Sequence, residues 1–600
     1  MPGRRRESLS LALTGSGGTG MITAGELLLR ACARIGLYGL QTRSVGPQIR
    51  GGESAALLRI AHYPVEAHDD AYHVLFAADW RNFDRFAGEI HLAEDVVVIT
   101  DEAATNIPDV VRAHAADIRH LPLHATAKEH KARINMVGLG LLGHLLRLTE
   151  EELADIIRWF FTRKQRQQFV EPSIAAMRAG FALATPMLEE VPSLRTSSQA
   201  ARAQARAGRR WLISGNQAVA TGFLQAGGRF VAGYPITPAT DMLEWLAARL
   251  PQLGGQLVQA EDELAAINMV LGASYGGIPA MTATSGPGFS LMAEGIGLGV
   301  MAEIPALIVD VQRIGPSTGI PTKSEQGDLQ LALCGTHGDA PHLVIAPDCI
   351  NDSIRTTAWA LHLAEKLQCP AVLLSDQKLG QMLSVIDAPE GMPPWKAERE
   401  TVAACETGEY RRYALTDSGI SPMALPGTEG CMHTIDGLEH DEAALPSSKV
   451  EDHAAQLEKR WRKLQQMEEW PEEEMAHWAD CIGTGEVCVI TWGSSAGPAR
   501  EALRLAADEG LHARHISMRL LFPPQKKRLA KMLEGVKRLI VVEQTHSGQF
   551  LHYLKAHYDL PEVVISCRRP GPKPITPQQV LRALREACTT EERLTEKVCT

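Results

Sequence analysis

Gly233-Tyr-Pro-Ile-Thr-Pro238, then Gln259-Ala-Glu-Asp-Glu-Leu-Ala-Ala266, Thr282-Ala-Thr-Ser-Gly-Pro-Gly288 and Gln312-Arg-Ile-Gly-Pro-Ser-Thr-Gly-Ile-Pro-Thr-Lys323, decide how this chain is read. Each is a stiff, Gly- or Pro-punctuated loop, or the charged first turn of a helix, placed after a short apolar run. That alternation is the pattern of an α/β protein, which puts its chemistry on loops at the strand ends. The apolar runs at 229–232, 256–259, 280–283, 306–311, 342–345 and 371–375 predict the strands of one such domain.

Outward from this stretch the pattern repeats. Runs at 10–14, 71–77 and 96–100, with a long helical pattern over 151–168, predict βα units and a mostly parallel sheet in residues 1–185. Residues 186–210 hold a small, polar, basic run and read as a linker, and 211–388 form the second α/β domain. Over 389–484 strand signals fade and the composition turns to Pro, Gly, Glu and His, with one helical pattern at 451–469. This is expected to be an irregular acidic excursion that wraps a neighbour. Residues 485–600 form a third α/β unit with strands at 487–491, 513–517 and 539–543.

Six hundred residues exceed one hydrophobic core and predict about three or four domains. A net charge of -11 argues against broad nucleic-acid binding, which needs a basic face. No apolar stretch reaches the ~20 residues of a membrane span, and the short apolar run after the basic start is not a signal peptide. The chain is therefore expected to be cytoplasmic. The eleven cysteines form no Cys-x-x-Cys and no zinc or iron–sulfur spacing, so they read mostly as small buried apolar residues and no metal site is expected.

Several loops carry candidate chemistry. Gly15-Ser-Gly-Gly-Thr-Gly20 lies between a strand and a helix over 21–35, where Gly15, Gly17 and Gly20 let backbone N–H groups approach an anion. The next strand, Gly39-Leu-Gln-Thr-Arg-Ser-Val45, has no carboxylate for a ribose hydroxyl. That leaves a phosphate-bearing ligand such as coenzyme A, or simply a tight turn. Arg50, in Arg50-Gly-Gly52, belongs either to a hairpin turn or to an anion-binding loop. Thr237 sits where a helix should begin, as an N-cap with Pro238 in the first turn; the same N-terminus suits a substrate carboxylate. Glu261, Asp262 and Glu263 compensate a helix dipole. The small residues after Glu263 would also let its carboxylate be buried against a ligand ring and exchange a proton with it. Arg313 leaves the end of a buried strand, at a surface or where a carboxylate would be gripped by two hydrogen bonds.

Taken together, Tyr-Pro-Ile-Thr-Pro and Gln-Arg-x-Gly-Pro-Ser-Thr-Gly resemble the α subunit of the 2-oxoacid:ferredoxin oxidoreductases with a γ domain fused at its N-terminus, in their 2-oxoglutarate branch. Asn135-Met-Val-Gly-Leu-Gly140 extends the resemblance over the first domain, and Thr491-Trp-Gly-Ser-Ser495 with Val541-Val-Glu-Gln-Thr-His-Ser-Gly-Gln549 over the last. The resemblance implies a multidomain α/β fold: a γ-like domain, a pyrimidine-binding thiamine-diphosphate domain and a transketolase-C-like domain. It implies that Glu263 protonates the cofactor's aminopyrimidine, with Pro235 and Ile236 beside it. Thr237 and Arg313 would hold the 2-oxoacid carboxylate, Thr322 would line the pocket, and Lys131 would reach the far end of the acid.

The implied reaction is attack on the keto carbon, loss of CO2, one-electron transfers to ferredoxin and passage of the acyl group to coenzyme A. No Gly-Asp-Gly followed by Asn at diphosphate spacing occurs in the chain. In this family Mg2+, the diphosphate contacts and the [4Fe-4S] cluster lie on a separate β subunit, giving (αβ)2. The same class acting on pyruvate or branched-chain acids, a non-redox thiamine enzyme of the transketolase or acetolactate type, and a catalytically silent scaffold binding coenzyme A or a nucleotide are the competing readings. The γ-like domain and the Arg313 loop argue against the non-redox enzyme.

Overall fold

A computed structural model describes residues 5–45, 52–85, 87–115, 117–187, 190–195 and 209–589. The chain divides into two compact units, Met1–Ser214 with Gln381–Pro389, and Gly215–Gly380 with Glu390–Thr600.

The first unit is built on an eight-stranded sheet in the order Asp117–Leu121, Leu92–Asp101, Tyr72–Ala77, Ser8–Ser16, Glu53–Ala61, Tyr38–Val45, Leu383–Asp387, Arg210–Ser214. The half from Asp117–Leu121 to Ser8–Ser16 is parallel. The remaining pairings are antiparallel, which corrects the expected mostly parallel sheet. The physical reason is local: residues 46–52 are too few for the crossover that parallel strands need, so Tyr38–Val45 and Glu53–Ala61 pair back on each other. The strands Arg210–Ser214 and Leu383–Asp387, read from sequence with the second domain, close this sheet instead. On one face Ile134–Leu145 packs against Val170–Ala184. A Cβ at Gly140 would overlap the Met177 carbonyl, and one at Gly180 the Val137 carbonyl, so glycine is what lets the two helices approach. That explains Gly140 of the 135–140 motif, while a Cβ at Gly138 would meet the Phe76 ring.

The second unit holds two sheets. Its seven-stranded sheet runs Gln256–Gln259, Phe230–Gly233, Ala280–Thr284, Ala306–Gln312, Pro370–Asp376, Leu343–Ile345, Leu520–Phe522. All neighbours are parallel except the last pair. Ala306–Gln312 is buried along its whole length, as a parallel strand covered on both faces must be. The five-stranded sheet runs Ala479–Gly483, Arg514–Met518, Val487–Trp492, Arg538–Glu543, Val563–Arg568, with only its first strand antiparallel.

The region after residue 389 folds back on its own unit. Helix Val450–Gln465 brings Lys459 and Lys463 onto Glu303, all three almost fully buried. Arg412 donates to the Glu303 carbonyl at 2.9 Å, and Arg399 grips the Glu365 carboxylate through two nitrogens at 2.6 and 2.9 Å. Cys405 and Cys431 are joined in a disulfide, which corrects their reading as small apolar residues.

Candidate active site

Four loops leave the carboxyl ends of Phe230–Gly233, Gln256–Gln259, Ala280–Thr284 and Ala306–Gln312, the edge where an open α/β sheet binds ligands. The first corrects the expected cap. Helix Thr240–Ala247 begins three residues beyond Thr237, and its N-cap, Ala239, makes no side-chain capping bond. Thr237 is exposed and remains in the loop. Its carbonyl oxygen accepts from Arg313 Nη1 at 2.7 Å, the Pro238 carbonyl accepts from Asn216 Nδ2 at 2.9 Å, and Thr240 N donates to Ile236 O. With those carbonyls engaged, the chain turns once more before it becomes helical. Pro235 is exposed and Ile236 partly buried in the same loop.

The three acids of the second loop separate by role. Glu261 is exposed; Asp262 is the N-cap of helix Glu263–Tyr275 and accepts from Ala265 N at 2.7 Å. Glu263 is 6% exposed, at the first helical position. Among the described residues no hydrogen bond or ion pair reaches its carboxylate. It lies against Gly288, where a Cβ would overlap Glu263 Oε1 and Thr284 Oγ1 and come within 2.7 Å of Glu263 Cγ. A carboxylate that meets no protein donor is free to accept from a ligand. The Thr282 and Ser285 hydroxyls, close to Gly288 in the chain, are buried without partners, and buried polar groups of this kind mark where a ligand completes a structure.

The loop over 313–328 is clamped by the last domain. Gln326 N donates to Gln544 O and Gln544 N to Gln326 Oε1, both at 2.9 Å, while Gln549 Nε2 donates to Gly327 O at 2.7 Å. Beneath it opens a cavity of about 610 Å³ whose wall includes Arg313, Glu325, Asp328, Thr545, His546 and Gln549. Arg313 is 7% exposed and its Nε lacks a partner. Burial pulls its guanidinium below the ordinary value and the Asp328 charge opposes this. An arginine that lines a cavity and has a donor left unengaged is equipped to bind a carboxylate. Thr322 is partly buried in the same loop and is not part of the cavity wall.

The same regions match three families in succession. Residues 10–183 match "Pyruvate ferredoxin/flavodoxin oxidoreductase", 221–459 "Pyruvate flavodoxin/ferredoxin oxidoreductase, thiamine diP-bdg", and 485–580 "Pyruvate:ferredoxin oxidoreductase core domain II". The 2-oxoacid:ferredoxin oxidoreductase subunit alpha of Saccharolobus solfataricus is 31% identical over 603 residues, spanning 91% of this chain and 93% of that one. The chain belongs to the 2-oxoacid:ferredoxin oxidoreductases, as their α subunit. The 2-oxoglutarate oxidoreductase subunit KorA of Mycobacterium tuberculosis is 32% identical, covering 93% of this chain and 88% of its own. A solved 2-oxoglutarate:ferredoxin oxidoreductase from Magnetococcus marinus, with 2-oxoglutarate, coenzyme A and succinyl-CoA bound, superposes with a TM-score of 0.88. It is 34% identical and covers 97% of this chain and 100% of its own.

In this 2-oxoacid:ferredoxin oxidoreductase α subunit, the second unit gathers Glu263, Thr237 and Arg313 on one sheet edge. The other candidates lie in the first unit. Lys131 is exposed, in a left-handed turn after helix Leu123–Glu129. The glycine turn is engaged within the protein. Ser16 donates from N and Oγ to Asp79, Gly17 N donates to Gly52 O at 2.7 Å, and Asn135 Nδ2 donates to Gly20 O at 3.2 Å. Those contacts occupy the N–H groups of Ser16 and Gly17 and the carbonyl of Gly20. Arg50 lies outside the described residues. Among the described residues no helix is long and apolar enough to cross a membrane. Asp310, Asp328 and Asn216 escaped the sequence reading. The one signal was an acid inside the apolar run 306–311.

Proposed function

We propose that this α subunit supplies one wall of a thiamine-diphosphate site that converts 2-oxoglutarate, coenzyme A and oxidised ferredoxin to succinyl-CoA, CO2 and reduced ferredoxin, reversibly. The observation that carries the reading is Glu263, 6% exposed, with its carboxylate against Gly288 and met by no protein donor among the described residues, on the sheet edge that also bears Arg313. A glutamate so placed suits the protonated ring nitrogen of an aminopyrimidine, and the absence of any side chain at Gly288 leaves that carboxylate uncovered. Glu263 would hold and exchange the proton at that nitrogen, with Pro235 and Ile236 beside the ring. When bound, the cofactor supplies the carbon nucleophile and the electron sink for decarboxylation, chemistry that no side chain provides. Arg313 would grip the substrate's 2-oxoacid carboxylate, with Thr237 beside it and Thr322 further along the loop.

The choice of 2-oxoglutarate rests on the relatives named for that acid. Pyruvate and branched-chain acids are the second reading. The diphosphate, Mg2+ and the [4Fe-4S] cluster would be carried by a β subunit in a cytoplasmic (αβ)2 assembly that passes electrons to ferredoxin. The α chain alone would then be inactive. Co-expression with the β subunit and a panel of 2-oxoacids, with coenzyme A and a viologen dye as acceptor, tests this. Glu263→Gln should abolish dye reduction by the complex; full activity in that variant would remove the assignment.

A further inference from the structure

Strand Ala306–Gln312 carries one acid, Asp310, with no exposed surface. Its carboxyl lies beside that of Asp328 at the end of the 313–328 loop, close enough for the two to interact through a shared proton. Among the described residues no N–H or O–H from any other group reaches either oxygen of Asp310 or Oδ2 of Asp328. Two carboxylates in contact, shielded from water, cannot both be charged, so the pair shares one proton. The deeper group, Asp310, keeps it: burial, and then the Asp328 charge, push Asp310 far above the usual carboxylate range. Asp328 carries the negative charge and lines the cavity with Arg313.

We propose that Asp328 gives up its charge, by taking a proton from water, as a substrate carboxylate binds Arg313, so that the guanidinium exchanges an internal anion for the substrate's. This rests on the reading above that Arg313 holds the 2-oxoacid. In the free chain Asp328 is the anion that Arg313 feels. A second anion in the same cavity must raise the energy of Asp328's charged form, and one proton restores the balance. Asp328 is suited to this because burial has already brought it up to about 6. The proton shared with Asp310 opposes that rise, Glu325 adds to it, and Arg313 opposes it.

Asp310 faces Asp328 from the strand, and Arg313 and Glu325 from its own loop. His546 of the last domain faces Glu325, whose carboxylate accepts from Gly571 N at 3.2 Å. Asp328 lies against Gly286, and Glu263 lies against Gly288 two residues further along. Glu325 is the group that could be mistaken for the proton acceptor, so it needs its own variant.

The test is calorimetric titration of the co-purified αβ complex with 2-hydroxyglutarate, which has the carboxylates but no reactive keto group. Buffers of different ionisation heat at pH 7.5 report proton uptake. Uptake approaching one proton is expected in the natural complex and in Glu325→Gln, and none in Asp328→Asn. The natural complex should lose up to tenfold in affinity per pH unit above about 6, the value to which Asp328 is raised. Asp328→Asn should bind with a flat pH profile, at pH 8 more tightly than the natural complex. Should that variant not fold, the natural complex still decides: KM for 2-oxoglutarate must rise with pH above 6 while kcat does not follow it. Binding without proton uptake, or uptake unchanged by Asp328→Asn, overturns this inference alone. If 2-hydroxyglutarate does not bind and no 2-oxoacid is turned over, the functional reading falls and takes the inference with it.

Discussion

Arg313 Nη1 donates to the carbonyl oxygen of Thr237 at 2.7 Å, joining loops that leave two different strands. The contact uses one donor of the guanidinium to brace the Thr237 loop and leaves Nε without a partner. Lysine keeps the charge but lacks the planar fork. Arg313→Lys should therefore raise KM for the 2-oxoacid about 10- to 100-fold, the equivalent of roughly 1.4–3 kcal/mol, with a smaller loss in kcat. Steady-state kinetics on the αβ complex check this, and an unchanged KM would sink the role given to Arg313.

Gly288→Ala places a methyl on the Glu263 carboxylate and the Thr284 hydroxyl, both inside a packed wall. Overpacking of this kind costs about 1–3 kcal/mol. Activity should fall further than stability accounts for, because the carboxylate itself is displaced. Thermal melting beside dye reduction separates the two effects; a melting shift without loss of activity would show that Glu263's position does not matter.

Glu303 is charged and fully buried because Lys459, Lys463 and Arg412 surround it. Burial alone would raise its carboxyl, but those cations hold it far below its ordinary value of 4.5. The stability it contributes is present above that ordinary value and is lost as the pH falls below it toward the folded value. Glu303→Gln leaves two buried ammonium groups uncompensated, at a cost of about 3–5 kcal/mol. Urea unfolding at pH 7 should show that loss, and the variant's stability should fall less steeply in acid than the natural chain's.

The Cys405–Cys431 disulfide closes a loop of sequence separation 26 in an otherwise irregular segment. A cross-link of that size is worth about 3 kcal/mol in the chain-entropy picture. Reductant should lower the melting temperature of the natural chain and leave that of Cys431→Ser unchanged. A digest without reductant that lacks the cross-linked peptide would refute the bond.

The sequence was most legible where strands are buried on both faces. The run at 306–311 anticipates Ala306–Gln312 because a central parallel strand must be apolar throughout. Glu263 could be singled out because an acid heading a helix of small residues is an unusual combination. What stayed hidden depends on distant partners. Arg210–Ser214 and Leu383–Asp387 are ordinary strands in sequence, and only their mutual pairing puts them in the first sheet. Leu520–Phe522 is three residues long and precedes Pro523, too short to show periodicity. The helix after Thr237 starts late because Arg313 and Asn216 hold its approach, and neither is near it in sequence. The Asp310–Asp328 pair joins a strand to the end of a loop, and no local pattern encodes it.

Leu520–Phe522 also sets how far the chain can be cut. It supplies the outermost strand beside Leu343–Ile345, and Arg519, next to it, binds Asp352 at 2.8 Å. A product ending before residue 485 would leave Leu343–Ile345 as an apolar edge and take the guanidinium from the buried Asp352, which would keep the Asp348 N–H and the Thr356 hydroxyl as donors. Such an edge recruits other chains, so truncation at that apparent boundary should yield aggregates instead of a separable thiamine-binding module.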